Sequence, residues 1–134
     1  MKMCVTAAGN TLDAAVDPRV GRAAYFVIVD SETMAFEAVP NTAAGAMSGA
    51  GIQAAQEIAR KGVSVLITGN VGPNAFQALA SAGIKIVVGA SGTVREVIEK
   101  YKRGELRETS ASTVGGHFGR GRGMGMGRGR RRQS

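Results

Sequence analysis

The stretch VSVLITGNVGPNAFQALASAGIKIVVGASGTVREVIEKYKRG, residues 63–104, decides the fold. Two short apolar runs in it, VSVLIT and IKIVVG, are typical of buried strands. Each run precedes a segment whose apolar residues recur at helical spacing. Strands that alternate with helices pair in parallel, because a right-handed crossover returns the chain to the same edge of the sheet. The stretch therefore predicts two parallel β-strands, each followed by a helix.

Local signals predict where these two helices begin and end. Pro73 suits a first helical turn, and Gly83 stands just past the last apolar position. Thr93 with Glu96 three residues later forms a capping-box pattern, and Gly104 follows the final turn. The sequence thus predicts one helix from Pro73 to about Gly83 and a second from Thr93 to Gly104.

Three further strands and one helix are predicted upstream. Residues 3–8 and 23–30 are apolar β-forming runs, and residues 34–40 alternate after a short polar turn. Residues 50–61 carry apolar positions at helical spacing and stop at Gly62. The predicted order is βββαβαβα, with strands one, four and five parallel and an antiparallel hairpin at one side. The predicted fold is α/β and ribonuclease H-like, a mixed five-stranded sheet with helices on its faces.

Size and composition set the class of protein. The chain has 134 residues, of which 44% are hydrophobic and only 4% aromatic, so one domain with a core of small aliphatic residues is expected. No run of about 18 apolar residues and no signal-peptide pattern occurs, which predicts a cytoplasmic protein without a membrane span.

Cys4 is the single cysteine, which excludes an internal disulfide and a four-thiolate zinc site. We expect Cys4 to be a small buried hydrophobe.

The positive charge is concentrated at the C-terminus. Residues 115–134 hold six of the 17 basic residues and no acid, so the rest of the chain has 11 bases against 10 acids. Gly and Arg without apolar periodicity predict a flexible tail, and we place the boundary near residue 110, giving a domain at 1–110 and a tail at 111–134. Such a tail could bind nucleic acid or an acidic partner through counterion release, which makes an adaptor the alternative function.

Glycine-rich segments precede all three predicted helices, at residues 45–51, 69–73 and 89–93. Helix N-termini offer unpaired N–H groups and partial positive charge, and glycine lets a ligand approach the backbone closely. Any one segment could be a simple tight turn, but three at one sheet edge predict an anion-binding pocket. The candidate residues in these segments are Ser48, Gly49, Gly51, Gly69, Asn70, Gly72, Gly89, Ser91, Gly92 and Thr93.

The loop between the first two strands adds Arg19, Gly21 and Arg22 to the candidate pocket. Two arginines beside a glycine could close over an anion, although an arginine paired with Asp13 or Asp17 in a solvated loop is an equal alternative. Gln53 and Gln56, on the first helix, could also bond a ligand or simply face solvent.

Several enzyme classes are disfavoured by residue type. None of the glycine-rich segments has the lysine of a phosphate-binding P-loop, and the strands MCVTAA and VSVLIT lack the carboxylates that a Mg²⁺-dependent nuclease needs. The single histidine, His117, lies in the tail, which removes a Ser-His-Asp relay from the predicted domain. With Met124 and Met126 it makes at most a sparse set of soft metal ligands. We find no catalytic constellation and predict that the protein is not an enzyme.

The runs DPRVGRAAYFVIVD, AGAMSGAGIQAAQEIARKGVSVLITGNVGPNAFQALASAGIKIV and SGTVREVIEKYKRGEL resemble the dinitrogenase iron-molybdenum cofactor biosynthesis family. The resemblance covers residues 1–108 and leaves the tail outside. It implies a ribonuclease H-like fold without nuclease activity. It also implies non-enzymatic binding or carriage of an anionic metal-sulfur cluster of Fe-Mo-S or Mo-Cu-S type in cofactor assembly or storage, with a cluster-donor or acceptor protein as partner.

Two positions depart from the pattern of the family. Many members have HFGR in the first loop where this chain has Arg19-Val20-Gly21-Arg22, and others have GNCGP where it has Val71. The resemblance to the orange-protein-like branch then implies non-covalent capture of a polyanionic cluster by backbone N–H groups and arginine. A small-metabolite sensor using the same pocket is a third alternative.

Overall fold

The computed structural model describes residues 1–46 and 49–113. Its elements are β1 (Lys2–Ala7), β2 (Tyr25–Asp30), β3 (Phe36–Pro40), α1 (Ala50–Arg60), β4 (Val65–Ile67), α2 (Pro73–Ser81), β5 (Lys85–Val87) and α3 (Val94–Lys102). This order confirms the predicted βββαβαβα arrangement and the α/β class. The ribonuclease H-like assignment stays a prediction.

The five strands form one mixed sheet in the order β3-β2-β1-β4-β5. β1, β4 and β5 run parallel, while β2 is antiparallel to both β1 and β3. The predicted parallel set and the hairpin at one side are confirmed. β3 therefore runs in the same direction as β1, so β1, β3, β4 and β5 all end at one edge, which we call the carboxyl edge. Because α1, α2 and α3 follow β3, β4 and β5, each helix starts from this edge.

Apolar side chains cover both faces of the sheet. Cys4, Leu66 and Ile86 point to one face, where α1 and α2 pack with Ile58 and Leu79. Alternate strand positions point to the other face, against α3 and the loop after β1, through Val5, Val27, Ile67, Val94 and Ile98. The result is a three-layer α/β/α arrangement. Complete burial of Cys4 confirms that it is a core residue.

The predicted helix boundaries agree with the backbone geometry. Gly62, Gly83 and Gly104 follow the C-caps of the three helices with φ of 72°, 77° and 77°, a left-handed conformation that glycine adopts without steric cost. At α3, the side chains and backbones of Thr93 and Glu96 form the predicted capping box. No helix in residues 1–46 and 49–113 is long and apolar enough to cross a bilayer.

After α3 the chain continues along the outer edge of the sheet beside β5. Leu106 packs on the α3 face, and the N–H of Thr109 donates to Ile86 O at 2.7 Å. The N–H of Thr113 then donates to Val71 O at 2.8 Å, on the α1 and α2 side. The predicted boundary near residue 110 falls inside this segment. The rest of the predicted tail, residues 114–134, lies outside the described residues.

Candidate functional site

The loop between β1 and β2, residues 8–24, lies across the starts of α1 and α2. Pro18 O accepts a hydrogen bond from the N–H of Asn70 at 2.8 Å, in the segment before α2. Gly21 packs on the first turn of α1, where a Cβ on this residue would lie only 2.8 Å from Gly51 N. Sequence-predicted residues from three separate segments are therefore brought together, and Gly21 leaves space that any side chain would fill.

The same loop closes the N-terminus of α3. The N–H of Val94 donates to Ala14 O at 2.9 Å, and the N–H of Arg95 donates to Leu12 O at 2.8 Å. These N–H groups belong to the first turn, which has no acceptors within its own helix. The loop therefore satisfies two donors of the first turn of α3.

Side chains and the neighbouring segment use the remaining groups near α3. The N–H of Thr93 donates to Glu96 Oε1 at 2.8 Å, and the N–H of Glu96 donates to Thr93 Oγ1 at 3.1 Å. The N–H of Gly89 donates to Gly69 O at 2.8 Å, and Gly92 O accepts from Val16 at 2.9 Å. The part that Gly89, Ser91, Gly92 and Thr93 play in ligand binding stays a prediction, but most of this segment is already engaged in the fold.

Unlike the N-terminus of α3, the N-terminus of α1 is not capped by a side chain of the described residues. Its N-cap is Gly49, with φ of 75°, and no side-chain cap or first-turn acid occurs there in the described residues. The N–H groups of Ala50, Gly51 and Ile52 make up the first turn, and the first bond made within the helix runs from Gln53 to Gly49 O at 2.9 Å. No acceptor for these three groups is found among the described residues.

α2 begins in the same way. Its N-cap, Gly72, is extended and makes no side-chain cap, while Pro73 has no N–H to satisfy. The N–H groups of Asn74 and Ala75 point out of the first turn, because the first bond made within the helix runs from Phe76 to Gly72 O at 2.9 Å. We refer to residues 49–52 and 72–75 as the open N-termini of α1 and α2.

The two open N-termini lie side by side. A Cβ on Gly51 would be 3.3 Å from Ala75 Cβ and 3.9 Å from Ala75 N, which shows how closely the first turns approach. A shallow groove of about 280 Å³ continues from this point between the outer faces of the helices, lined by Ile52, Asn74, Gln77, Ala78 and Ser81. The two partial positive charges therefore act on the same small volume.

The two candidate arginines have different partners. Arg19 forms a salt bridge with Asp17 at 3.2 Å, and this hydrogen bond and charge raise the pKa of Arg19 above its ordinary value. The alternative of an arginine paired with Asp17 is thus confirmed for Arg19. Arg22 instead donates through Nη1 to Ala44 O and Ala46 O, both at 2.7 Å. It makes no salt bridge within the described residues, so it holds the segment before α1 while keeping its positive charge.

Asn41, a buried polar residue that the sequence did not single out, positions this region. Asn41 donates through Nδ2 to Gly21 O at 3.0 Å and to Ala23 O at 2.9 Å. Its Oδ1 accepts from the N–H of Ala43 at 3.1 Å, so all its hydrogen-bonding atoms join the two loops. An asparagine after a strand signals a turn, but nothing local reveals partners about 20 residues upstream.

Thr6 and Thr68 fix the loop to the strand ends. Thr6 Oγ1 lies 2.6 Å from Asp17 O and must donate to it, because a carbonyl oxygen only accepts. Thr68 therefore donates to Thr6 Oγ1, at 2.8 Å, and both side chains are fully buried. The pair sits at the ends of β1 and β4, where it orients the backbone beside Arg19.

The described residues offer few side chains that could bind a metal ion. Among the described residues, no three His, Cys, Asp or Glu side chains come together as a metal-binding group. Complete burial raises the pKa of the Cys4 thiol far above its ordinary value, so it stays protonated at neutral pH.

Gln53 and Gln56 line a separate groove of about 160 Å³ with Asn41, Thr42, Ala43, Glu57 and Arg60. Ser48 and His117 lie outside the described residues.

Known proteins share this chain's fold and much of its sequence. The model of the dinitrogenase iron-molybdenum cofactor family matches residues 1–104. The apo form of the orange protein from Desulfovibrio gigas is 47% identical, with a TM-score of 0.82, covering 84% of this chain and 96% of that one. A NifB-like protein from Thermotoga, solved by NMR, is 38% identical, with a TM-score of 0.74 and coverage of 84% and 97%.

A curated relative from Methanocaldococcus jannaschii, itself uncharacterized, is 31% identical over 111 residues, which is 81% of this chain and 91% of that protein. With a family match that spans residues 1–104, this chain belongs to the dinitrogenase iron-molybdenum cofactor family. The family and the orange-protein relative connect the chain to cofactor binding or cofactor assembly.

Proposed function

We propose that this member of the family binds an anionic metal-sulfur cluster at the open N-termini of α1 and α2, as a non-enzymatic carrier in cofactor assembly or storage. One observation carries the proposal. Two first turns without side-chain caps lie side by side at the edge where the third helix is fully capped.

The physics of the site favours a compact anion. Each helix N-terminus behaves as about half a positive charge, so the adjacent pair supplies roughly one. The N–H groups of Gly51, Asn74 and Ala75 are donors without acceptors in the helices. Glycine at both N-caps, Gly49 and Gly72, removes the side chains that would keep a cluster of several atoms away from these donors.

The side chains present favour non-covalent binding of the cluster, without metal-ligating side chains from the described residues. Cys4, the only thiol, is buried and protonated, and the described residues contain no group of metal ligands. Sulfide or oxide atoms at the surface of a cluster can instead accept hydrogen bonds from backbone N–H groups and from Arg22. We propose a cluster of Fe-Mo-S or Mo-Cu-S type, consistent with the family and with the orange-protein relative.

The proposal is tested by an anaerobic titration with tetrathiomolybdate, alone and with Cu(I), followed by absorbance. Gly72→Asp places a carboxylate on the open N-terminus of α2, and Thr93→Asp places the same charge on the closed N-terminus of α3. We expect saturable binding to the unmodified chain and a roughly 10- to 100-fold loss in Gly72→Asp, because the carboxylate occupies the donors and repels the anion.

Thr93→Asp should bind within about twofold of the unmodified chain, since the α3 donors are already bonded and aspartate is itself a good N-cap. Equal losses in the two variants would instead place the α3 segment in the site, as the sequence predicted. Unchanged binding in Gly72→Asp would refute the proposed site.

A further inference from the structure

The two edges of the sheet differ in how they are covered. On the outer side of β5, the chain after α3 forms a β-bridge between Val87 and Glu108, and the N–H of Thr109 donates to Ile86 O at 2.7 Å. On the outer side of β3 the sheet ends, and no β-bridge to this strand other than those from β2 occurs within residues 1–46 and 49–113. An edge strand of this kind presents backbone donors and acceptors to another chain.

The register of β3 shows which of its backbone groups face outward. The N–H of Asp30 donates to Ala35 O at 2.9 Å, so Ala35 is bonded to the strand beside it. Hydrogen-bonded and non-hydrogen-bonded positions alternate along an antiparallel pair, and the odd-numbered residues of β3 therefore bond to β2. The N–H and C=O groups of Phe36 and Ala38, together with the C=O of Pro40, point away from β2.

The side chains of β3 suit a contact with another protein surface. Phe36 is 45% exposed, which is unusual for a large hydrophobic residue in this chain. Glu37 lies on the opposite face of the strand, where its carboxylate is paired with Lys61 at 3.0 Å. Pro40 ends the strand and offers a carbonyl oxygen but no N–H. The edge thus combines an exposed aromatic ring with a neutralised charge.

We propose that β3 is a self-association surface, at which two copies of this chain pair antiparallel about a two-fold axis through Ala38. The Ala38 N–H of each copy donates to the Ala38 O of the other, and the Phe36 N–H donates to the Pro40 O of the other. All four outward donors of the two strands are then bonded, and Pro40 is needed only as an acceptor. The two five-stranded sheets join into one continuous sheet of ten strands.

Charge selects this register over its neighbour. With the axis at Ala38, Glu37 lies opposite Val39 of the second copy, and Phe36 lies opposite Pro40 of the second copy. An axis at Glu37 would bond the same four donors, but it would place the two Glu37 carboxylates directly opposite each other. Like charges in that position destabilise a strand pair. The sequence of β3 is therefore self-complementary in one register.

This inference does not depend on the proposed anion site. The paired strands run in opposite directions, so the carboxyl edges of the two copies point in opposite directions, and the open N-termini stay outside the contact. Five residues per strand make a contact that is smaller than a standard protein interface. We therefore expect a weak dimer that forms at high protein concentration.

The test is sedimentation equilibrium of the full-length chain from about 10 µM to about 1 mM, a range that brackets a weak interface. The mean mass of the unmodified chain should rise from that of one chain towards that of two. Phe36→Lys puts a charge on the edge, and Ala38→Pro removes the central donor, so each should raise the dissociation constant about tenfold or more. Proline is tolerated at an edge position whose N–H faces solvent, so Ala38→Pro should still fold.

Ser81→Lys is the matched control for Phe36→Lys. It adds the same charge at an exposed position of α2, in the groove beside α1. It should dimerise within about twofold of the unmodified chain, because charges beyond about 10 Å are largely screened. Loss of the dimer in Ser81→Lys alone would move the contact to the helices and overturn the inference. A chain that stays monomeric throughout, or that dimerises equally well in both β3 variants, would overturn it too.

Amide NMR spectra over the same concentrations locate the contact. The amide protons of Phe36 and Ala38 should move downfield as the dimer forms, because each gains a hydrogen bond, whereas those of Gln77 and Ser81 on α2 should not move. The shifts should be absent in Phe36→Lys at Ala38. A dimer that leaves Phe36 and Ala38 unchanged, or shifts at these residues without any rise in mass, would contradict the pairing of two β3 strands.

Discussion

The N-terminus of α3 and those of α1 and α2 share one sheet edge and similar glycine-rich approaches, yet they use their N–H groups in opposite ways. At α3 a capping box and two carbonyls of the β1–β2 loop satisfy the first turn. At α1 and α2 glycine N-caps leave the first turns without side-chain partners in the described residues. A glycine-rich segment before a helix therefore does not reveal whether its donors are free.

In our proposal, this difference separates a helix start that stabilises the fold from two helix starts that bind the ligand. Bonds from Val94 and Arg95 to the loop join residues about 80 positions apart, so the closed N-terminus of α3 ties the two ends of the fold together. In our proposal, the donors of the open N-termini bind the ligand instead. Each prediction below tests this division at a different point.

Loss of the loop arginines should have the largest effect. We expect Arg19→Ala/Arg22→Ala to weaken tetrathiomolybdate binding about 10- to 100-fold, because two charges beside the open N-termini are removed. Arg95→Ala/Arg103→Ala is the matched control, since Arg95 lies in the first turn of α3, Arg103 is its C-cap, and each forms a salt bridge, with Asp13 and Glu105 respectively. Urea unfolding of both variants should accompany the titration, and equal weakening in the two would break the comparison.

Gly21→Ala should damage the α1 side of the site. The added Cβ would lie 2.8 Å from Gly51 N and 3.0 Å from Ala50 C, so the loop or the helix must shift, at a cost of about 1–3 kcal/mol in the free energy of unfolding. Binding should fall with it, because the methyl group occupies space before the N–H groups of α1. Gly45→Ala, with nothing within 4 Å of its Cβ, is the control and should change neither quantity.

Replacing Cys4 tests whether its thiol contributes to stability or to ligand binding. Burial raises its pKa, so the folded state keeps a proton that the unfolded state releases above roughly pH 8.5. The difference in the free energy of unfolding between the unmodified chain and Cys4→Ala should therefore stay constant below about pH 8.5. Above that pH, the free energy of unfolding of the unmodified chain should fall relative to Cys4→Ala by about 1.4 kcal/mol per pH unit. Urea midpoints at pH 7, 9 and 10 measure this. Tetrathiomolybdate binding at pH 7 should be unchanged, and its loss would identify Cys4 as a ligand.

The smallest effect is expected at the closed N-terminus. Thr93→Ala removes half of the capping box and should lower the free energy of unfolding by about 1 kcal/mol. Binding should stay the same, because α3 donors do not contact the ligand in our proposal. A change in binding without a change in stability would show that the division drawn between the helices is wrong.

The sequence by itself determined the elements and their order. Strand periodicity, the capping box at Thr93 and the glycines at positions 62, 83 and 104 depend on residues only a few positions apart, so they can be recognised without a structure. The parallel sheet followed from the alternation of strands and helices, and the burial of Cys4 from its place in an apolar strand. The three glycine-rich segments predicted an anion site at the carboxyl edge, and the family resemblance predicted a metal-sulfur cluster as its ligand; the site stays a prediction.

Only the tertiary structure decided which donors at that edge are bonded to other segments of the fold. The acceptors that close α3 come from Leu12 and Ala14, the carbonyls that hold Arg22 come from the segment before α1, and the partner of Val71 is Thr113, 42 residues away. Each of these bonds forms between segments that meet only when the sheet is assembled. Whether a backbone N–H is satisfied depends on the position of its acceptor in space, and local sequence does not contain that position.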